Sequence, residues 1–252
     1  MNVAWPSALW IVRHGQSAGN VARDQAEEAG AHVIDIGVRD IDVPLSQLGE
    51  QQARSLGWWF AQQQPQQQPQ VVLCSPYVRA RETARFTMDA LGERAPRVRL
   101  RTDERLREKE FGILDRLTVH GIRHKHPELS EQRAQVGKFY FRPPGGESWC
   151  DVILRLRSVL EMVCREHADE RVLVVAHQVI VNCMRYLLEE LDEKAILGID
   201  RLGDVPNCGV TSYQYDAQLR RMALVVANFT APMRQTGTPV TAEPDAPVAA
   251  KP

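Results

Sequence analysis

The sequence carries no surplus of charge of either sign. Its 31 Lys and Arg stand against 32 Asp and Glu, a formal net charge of −1. That balance excludes the basic footprint of a nucleic-acid binder. No apolar run approaches the roughly 20 residues of a membrane span, so no membrane partner is expected. The longest run, VLVVA around Leu173, has the length of a buried strand. No Lys or Arg precedes the apolar part of the N-terminal MNVAWPSALWIV, so a secretory leader is not expected and the chain is read as cytoplasmic. Cys74, Cys150, Cys164, Cys183 and Cys208 are odd in number, widely spaced and without a CxxC pair. This argues against a disulfide framework or zinc site and for reduced thiols packed as small hydrophobes. Internal repeats and a boundary between two cores are also missing.

What is present is enough for one large domain: 252 residues, 44% of them hydrophobic. Ala8–Arg13, Val71–Cys74, Val98–Arg101 and Arg171–Ala176 read as short strands. Helical spacing marks Ser46–Gln63, Tyr77–Leu91, Glu147–His167 and Val179–Glu190, the third with Val152, Leu156, Val159, Leu160 and Val163 on one face. Val210–Tyr215 and Met222–Phe229 read as a closing hairpin. The low-complexity stretch Gln62–Gln70 is expected to be an exposed connector. The alternation of strand and helix predicts a layered α/β domain over residues 1–235 with a mainly parallel sheet. The Pro-rich segment 236–252 is expected to be a disordered tail.

Polar residues gather at the ends of these strands. WIVRH ends at His14, VLVVAH at His177, and VVLCSP leads into Arg79. Ligands of open α/β sheets bind at the carboxyl ends of strands, so parallel neighbours would bring His14, His177 and Arg79 together. Guanidinium forks at Arg13 and Arg79 match phosphate oxygens. A neutral imidazole can accept a phosphoryl group, with its other nitrogen fixed by a backbone carbonyl in the turn at Gly15. The cations would stabilise charge on the transferring group, and no metal or other cofactor is called for. A leaving alkoxide needs a proton from a carboxylic acid of raised pKa, and the pattern LREKEFG leaves Glu108 and Glu110 as equal candidates.

These residues resemble the histidine phosphatase superfamily in its phosphoglycerate mutase-like branch. RHGQSAGN looks like that family's RHG signature, and LSQLGEQQA, SPYVRARETA, LREKEFG and VVAHQ match in order from Leu9 to Phe229. The resemblance implies a three-layer α/β/α sandwich on a mixed sheet. It also implies a phosphohistidine on His14, with Glu108 rather than Glu110 as proton donor. Arg13, Arg79 and His177 would form the phosphate pocket with a polar contact from Asn20. Gln178 follows the second histidine where many members have glycine, as it does in the bisphosphatase domains acting on fructose 2,6-bisphosphate, and is carried as a further substrate contact. Gln16 stands in place of the commoner glutamate. Val21–Pro44 lacks the tryptophan-rich substrate stretch of true phosphoglycerate mutases. FYFRPPGGES resembles a mutase-like branch whose substrates do not follow from it.

The expected function is therefore metal-independent hydrolysis of a small phosphomonoester. The alternatives are a cofactor-dependent phosphoglycerate mutase and a silent phosphate- or phosphoprotein-binding module. Substrate and oligomeric state are left open. Among the remaining candidates, His120 and His124 could share a helix face toward a metal, but no acidic or cysteine ligand stands beside them, and HGIRHKH reads as a solvated basic patch. Arg142 would line the substrate mouth or pair with a surface carboxylate. Arg81 and Arg85 read as surface, and Trp58 and Trp59 as core packing.

Overall fold

β1 (Ala8–Arg13) alternates its side chains between two buried layers, and this alternation organises the molecule. In the computed structural model, which describes residues 4–92 and 97–242, β1 runs through the middle of a six-stranded sheet. Its neighbours are β2 (Val71–Cys74), β3 (Arg99–Thr102), β4 (Arg171–Ala176), β5 (Val210–Asp216) and β6 (Arg221–Phe229), in the order β3-β2-β4-β1-β5-β6. The first four strands of that order are parallel. The β5–β6 hairpin closes one side antiparallel to β1.

Leu9, Ile11, Val172 and Val174 point to one face, where α6 (Trp149–Glu166) and α7 (Gln178–Leu188) cover them. Trp10, Val12, Leu173 and Val175 point to the other, against Leu56 and Phe60 of α2 (Gln47–Gln62) and Ala80 and Ala84 of α3 (Val78–Ala90). Two helical layers with a mixed sheet between them match the expected sandwich. Ser46 and Ser148 cap α2 and α6 through backbone N–H groups three residues on. The expected strands and helices are found with ends displaced by one or two residues.

Five helices were not anticipated: α1 (Ala18–Glu28), α4 (Val119–Lys125), α5 (Pro127–Val136), α8 (Glu193–Leu202) and α9 (Ala231–Thr236). Each buries few side chains, so the apolar stripe that announces a helix is thin. The glutamine-rich connector is corrected in part. It holds a 3₁₀ turn at Pro65–Gln67, and Gln68 is buried, its amide donating to Gln63 O at 2.8 Å. The disordered tail is corrected too. Residues 236–242 pack against α2, with Gln52 Nε2 donating to Pro239 O at 3.0 Å and to Thr241 Oγ1 at 2.9 Å. The rest of that segment lies outside the described residues. Trp58 is exposed rather than core, whereas Trp59 stacks edge-on against Phe60. The five thiols are all free. Cys74, Cys183 and Cys208 are buried, and Cys150 and Cys164 are half-buried instead of fully packed. No described helix is long and apolar enough to cross a membrane.

Candidate active site

Three parallel strands deliver the polar residues to one place. The ladder runs one step past each strand, with His14 N bonding Ala176 O at 2.9 Å and Ser75 N bonding Val175 O at 3.0 Å. The chain must then turn sharply over the start of α2. Two glycines permit it: a Cβ on Gly15 would stand 2.5 Å from Gly49 O, and one on Gly49 would stand 1.9 Å from Gln16 O. The turn is secured from behind by Asn207, whose amide donates to His14 O at 3.0 Å, and by Thr83, which accepts from Gly15 N at 3.0 Å.

His14 is 3% exposed. Its Nδ1 lies 2.6 Å from Gly15 O, so Nδ1 carries the proton and Nε2 carries the lone pair. Arg79 Nε donates to that Nε2 at 3.2 Å. Burial, and then the Arg79 and Arg13 guanidinium groups, hold the His14 pKa well below the usual imidazole value; the bond to Gly15 O offsets this only in part. The ring is neutral, and it lines the cleft.

His177 lies beneath, with ring centroids 5.2 Å apart and no exposure. Burial and the Arg79 charge keep it neutral as well. Its Nε2 is 2.7 Å from Ser75 Oγ, while Nδ1 makes no hydrogen bond and sits 3.7 Å from Glu108 Oε2. Glu108 is buried at the cleft wall, with Oε1 accepting from Lys109 N at 2.7 Å. Glu110 points elsewhere, accepting from the Tyr77 hydroxyl at 3.4 Å. Of the two carboxylates, Glu108 is the one that lines the cleft.

Arg13 and Arg79 complete the inner end. Arg13, 1% exposed, is held by Val205 O at 2.7 Å and by Gln178 Oε1 at 3.0 Å. Gln178 in turn donates to Asp204 at 2.7 Å. Gln178 thus stands behind Arg13, with both ends of its amide bonded to the protein. Asn20 does line the cleft. Its Oδ1 accepts from Ser17 N and Oγ, each at 2.9 Å, so the end available to a ligand is its NH₂ group.

Asp40 has no counterpart in the sequence reading. From the segment between the first two motifs it grips Arg79 through both carboxylate oxygens, at 3.0 and 3.3 Å, and through its backbone carbonyl at 2.6 Å. Nothing local in RDID announces this contact. Arg23, Asp115, Arg116 and Phe111 also line the cleft and were not anticipated. Arg23 was within reach of inference, since it lies three residues beyond Asn20 on the same face of α1. Arg142 proves to be a surface residue paired with Asp151, Nε to Oδ2 at 2.7 Å. Arg81, Arg85, His120 and His124 are exposed, as read. His124 stacks on His32 with centroids 4.6 Å apart.

The fold and cleft define an α/β protein with a neutral, oriented imidazole flanked by guanidinium groups. The chain belongs to the histidine phosphatase superfamily (branch 1), whose family model matches residues 9–228. It is 30% identical over 180 residues to 6-phosphofructo-2-kinase/fructose-2,6-bisphosphatase of Caenorhabditis elegans, covering 71% of this chain and 33% of that protein. The chain thus spans about a third of that relative's length. It is 28% identical over 202 residues to 2,3-bisphosphoglycerate-dependent phosphoglycerate mutase of Sinorhizobium fredii, covering 79% of this chain and 87% of the mutase. The solved mycobacterial glucosyl-3-phosphoglycerate phosphatase with VO3 superposes with a TM-score of 0.66 at 25% identity, covering 88% of this chain and 99% of that one.

Proposed function

We propose that this protein is a metal-independent phosphatase that hydrolyses a small phosphomonoester through a phosphohistidine on His14. The observation that carries the reading is the tautomer: Nδ1–H is spent on Gly15 O, which leaves Nε2 as a lone pair aimed into an arginine-lined cleft. Nε2 attacks phosphorus as Arg79 Nε shifts its hydrogen bond from the imidazole to a phosphoryl oxygen. Arg13 and Arg79 take the charge on the equatorial oxygens. With Nε2 of His177 accepting from Ser75, its Nδ1–H is a further donor. Glu108 gives its proton to the leaving oxygen as the P–O bond breaks. It then accepts a proton from water, which attacks phosphorus, breaks the P–N bond and releases phosphate.

The test is hydrolysis of p-nitrophenyl phosphate in the presence of a chelator, with trapping of the phosphoenzyme. Turnover with an acid-labile, base-stable phosphoryl label is the expected result. Turnover without such a label would reject the covalent route. A mutase would instead depend on a bisphosphorylated primer, and primer-dependent isomerisation without net hydrolysis would favour that reading. Vanadate binding without any turnover would favour a silent binding module.

Asp40 makes a further prediction. Asp40 holds the Nη1/Nη2 end of Arg79 and so sets a negative charge beside any phosphoryl group that engages its Nε. Asp40→Asn is expected to tighten inorganic phosphate binding about five- to tenfold by removing that competing charge. Isothermal titration of phosphate into both chains measures it, and weaker binding in the variant would show that Asp40 orients Arg79 instead.

A further inference from the structure

The charges along the cleft divide into two sets, and the division bears on the substrate. This inference rests on the reading that a phosphoryl group occupies the inner end. There Arg13 and Arg79 supply two positive charges, which the phosphoryl dianion consumes. Farther out, among the described residues, Arg23 and Arg116 stand with Asp115, while Asp40 pairs with Arg79; with Glu108 carrying its proton, the four arginines and two aspartates of the lining together balance a phosphoryl dianion.

Arg116 is moreover committed to the protein itself. Its NH1 donates to Ile36 O at 3.0 Å and its NH2 to Val38 O, which ties its guanidinium to the backbone of the overlying segment. Its own backbone N–H bonds Asp115 Oδ1 at 3.0 Å. Burial, and then the Asp40 charge, raise the Asp115 carboxyl above its ordinary value. Asp115 therefore already sits where added negative charge is resisted. The remaining wall is apolar, formed by Ile36, Val38 and the Phe111 ring. The cleft is open to solvent at this end.

We propose that the outer cleft selects phosphomonoesters of uncharged alcohols that present an apolar or aromatic face, and discriminates against a second phosphate or a carboxylate on the leaving group. A second anion would meet the Asp40 and Asp115 carboxylates, while Arg116 is already committed to backbone carbonyls. Hydroxyl groups on a neutral leaving group would find acceptors at Asp115, while its apolar face would cover Val38 and Phe111.

A matched pair of non-hydrolysable ligands tests this without depending on turnover. Phenylphosphonate and 4-carboxyphenylphosphonate differ by one negative charge at the far end of the ring. Titrated at pH 8 into the native chain, phenylphosphonate is expected to bind about tenfold more tightly, the scale of one unscreened like-charge contact in a partly wet cleft. In Asp115→Asn, which keeps the acceptor for Arg116 N, the ratio between the two ligands should shrink by about fivefold. Equal binding in the native chain, preference for the carboxylated ligand, or a ratio unmoved in Asp115→Asn would overturn the proposal. So would failure of both ligands to bind. If the expected ratio appears but p-nitrophenyl phosphate is not turned over, the phosphatase reading fails while the ligand class stands.

Discussion

His14→Ala is expected to lose phosphatase turnover by about four orders of magnitude or more, together with the trapped phosphoenzyme. Removing a covalent nucleophile leaves only binding and charge stabilisation, which support little turnover by themselves. The side chain faces a cleft, so its truncation leaves the sheet layers intact. Unchanged circular dichroism and retained vanadate binding are the controls. Persistent turnover would place the nucleophile elsewhere. The native enzyme should also show a pH signature. Because burial and the two arginines depress the His14 pKa, the ring remains neutral as pH falls through the usual imidazole value of 6.5. Any acid limb of kcat/KM due to His14 therefore lies below that value. The sign for stability follows. Folded His14 and His177 refuse protons that the unfolded imidazoles accept, so their contribution favours the fold above about pH 6.5 and is lost as pH falls below it.

Glu108→Gln is the second large effect, and its size depends on the leaving group. The amide fills the same volume but has no proton to give to an alkoxide. For an alkyl phosphate, kcat is expected to fall about 10²- to 10⁴-fold, the range for loss of a general acid. With p-nitrophenyl phosphate, whose phenolate leaves without help, phosphorylation of His14 survives. An initial burst of p-nitrophenol followed by slow release of phosphate is expected, because the base for water is gone. Rapid-quench kinetics on both substrates separates the two steps. An equal loss with both leaving groups would assign Glu108 a structural role.

The strand ends were legible because they rest on strong local signals. Short β-branched runs cut off by His14, Ser75 and His177 leave few alternatives once the parallel sheet is inferred. The Gly15 carbonyl as keeper of the His14 tautomer was also readable, since sequence adjacency places it there. The separate surroundings of Glu108 and Glu110 were not, because an extended segment puts both on one face and only tertiary contacts, Glu110 with Tyr77 and Glu108 at the cleft wall, tell them apart. The place of Gln178 behind Arg13 was not legible, because Asp204 and Val205, which hold Gln178 and Arg13, arrive from a distant loop. Asp40 was invisible for the same reason: a charged residue in an irregular segment acquires meaning only from the tertiary contact that brings Arg79 beside it. The packed stretch at 236–242 shows how composition misleads, since proline and threonine can satisfy hydrogen bonds on a surface prepared by Gln52, Ser55 and Asn207.

That last contact ties the two ends of the chain into one event. Thr241 bonds the backbone and side chain of Asn207, and Asn207 holds the carbonyl of His14. β1 also needs β4 and β5 on either side. The surroundings of His14 close only when segments far apart in the sequence, as distant as Thr241, have come together. Such long-range closure slows folding. It also means that a chain truncated before Thr241 carries His14 without the contacts that secure its turn.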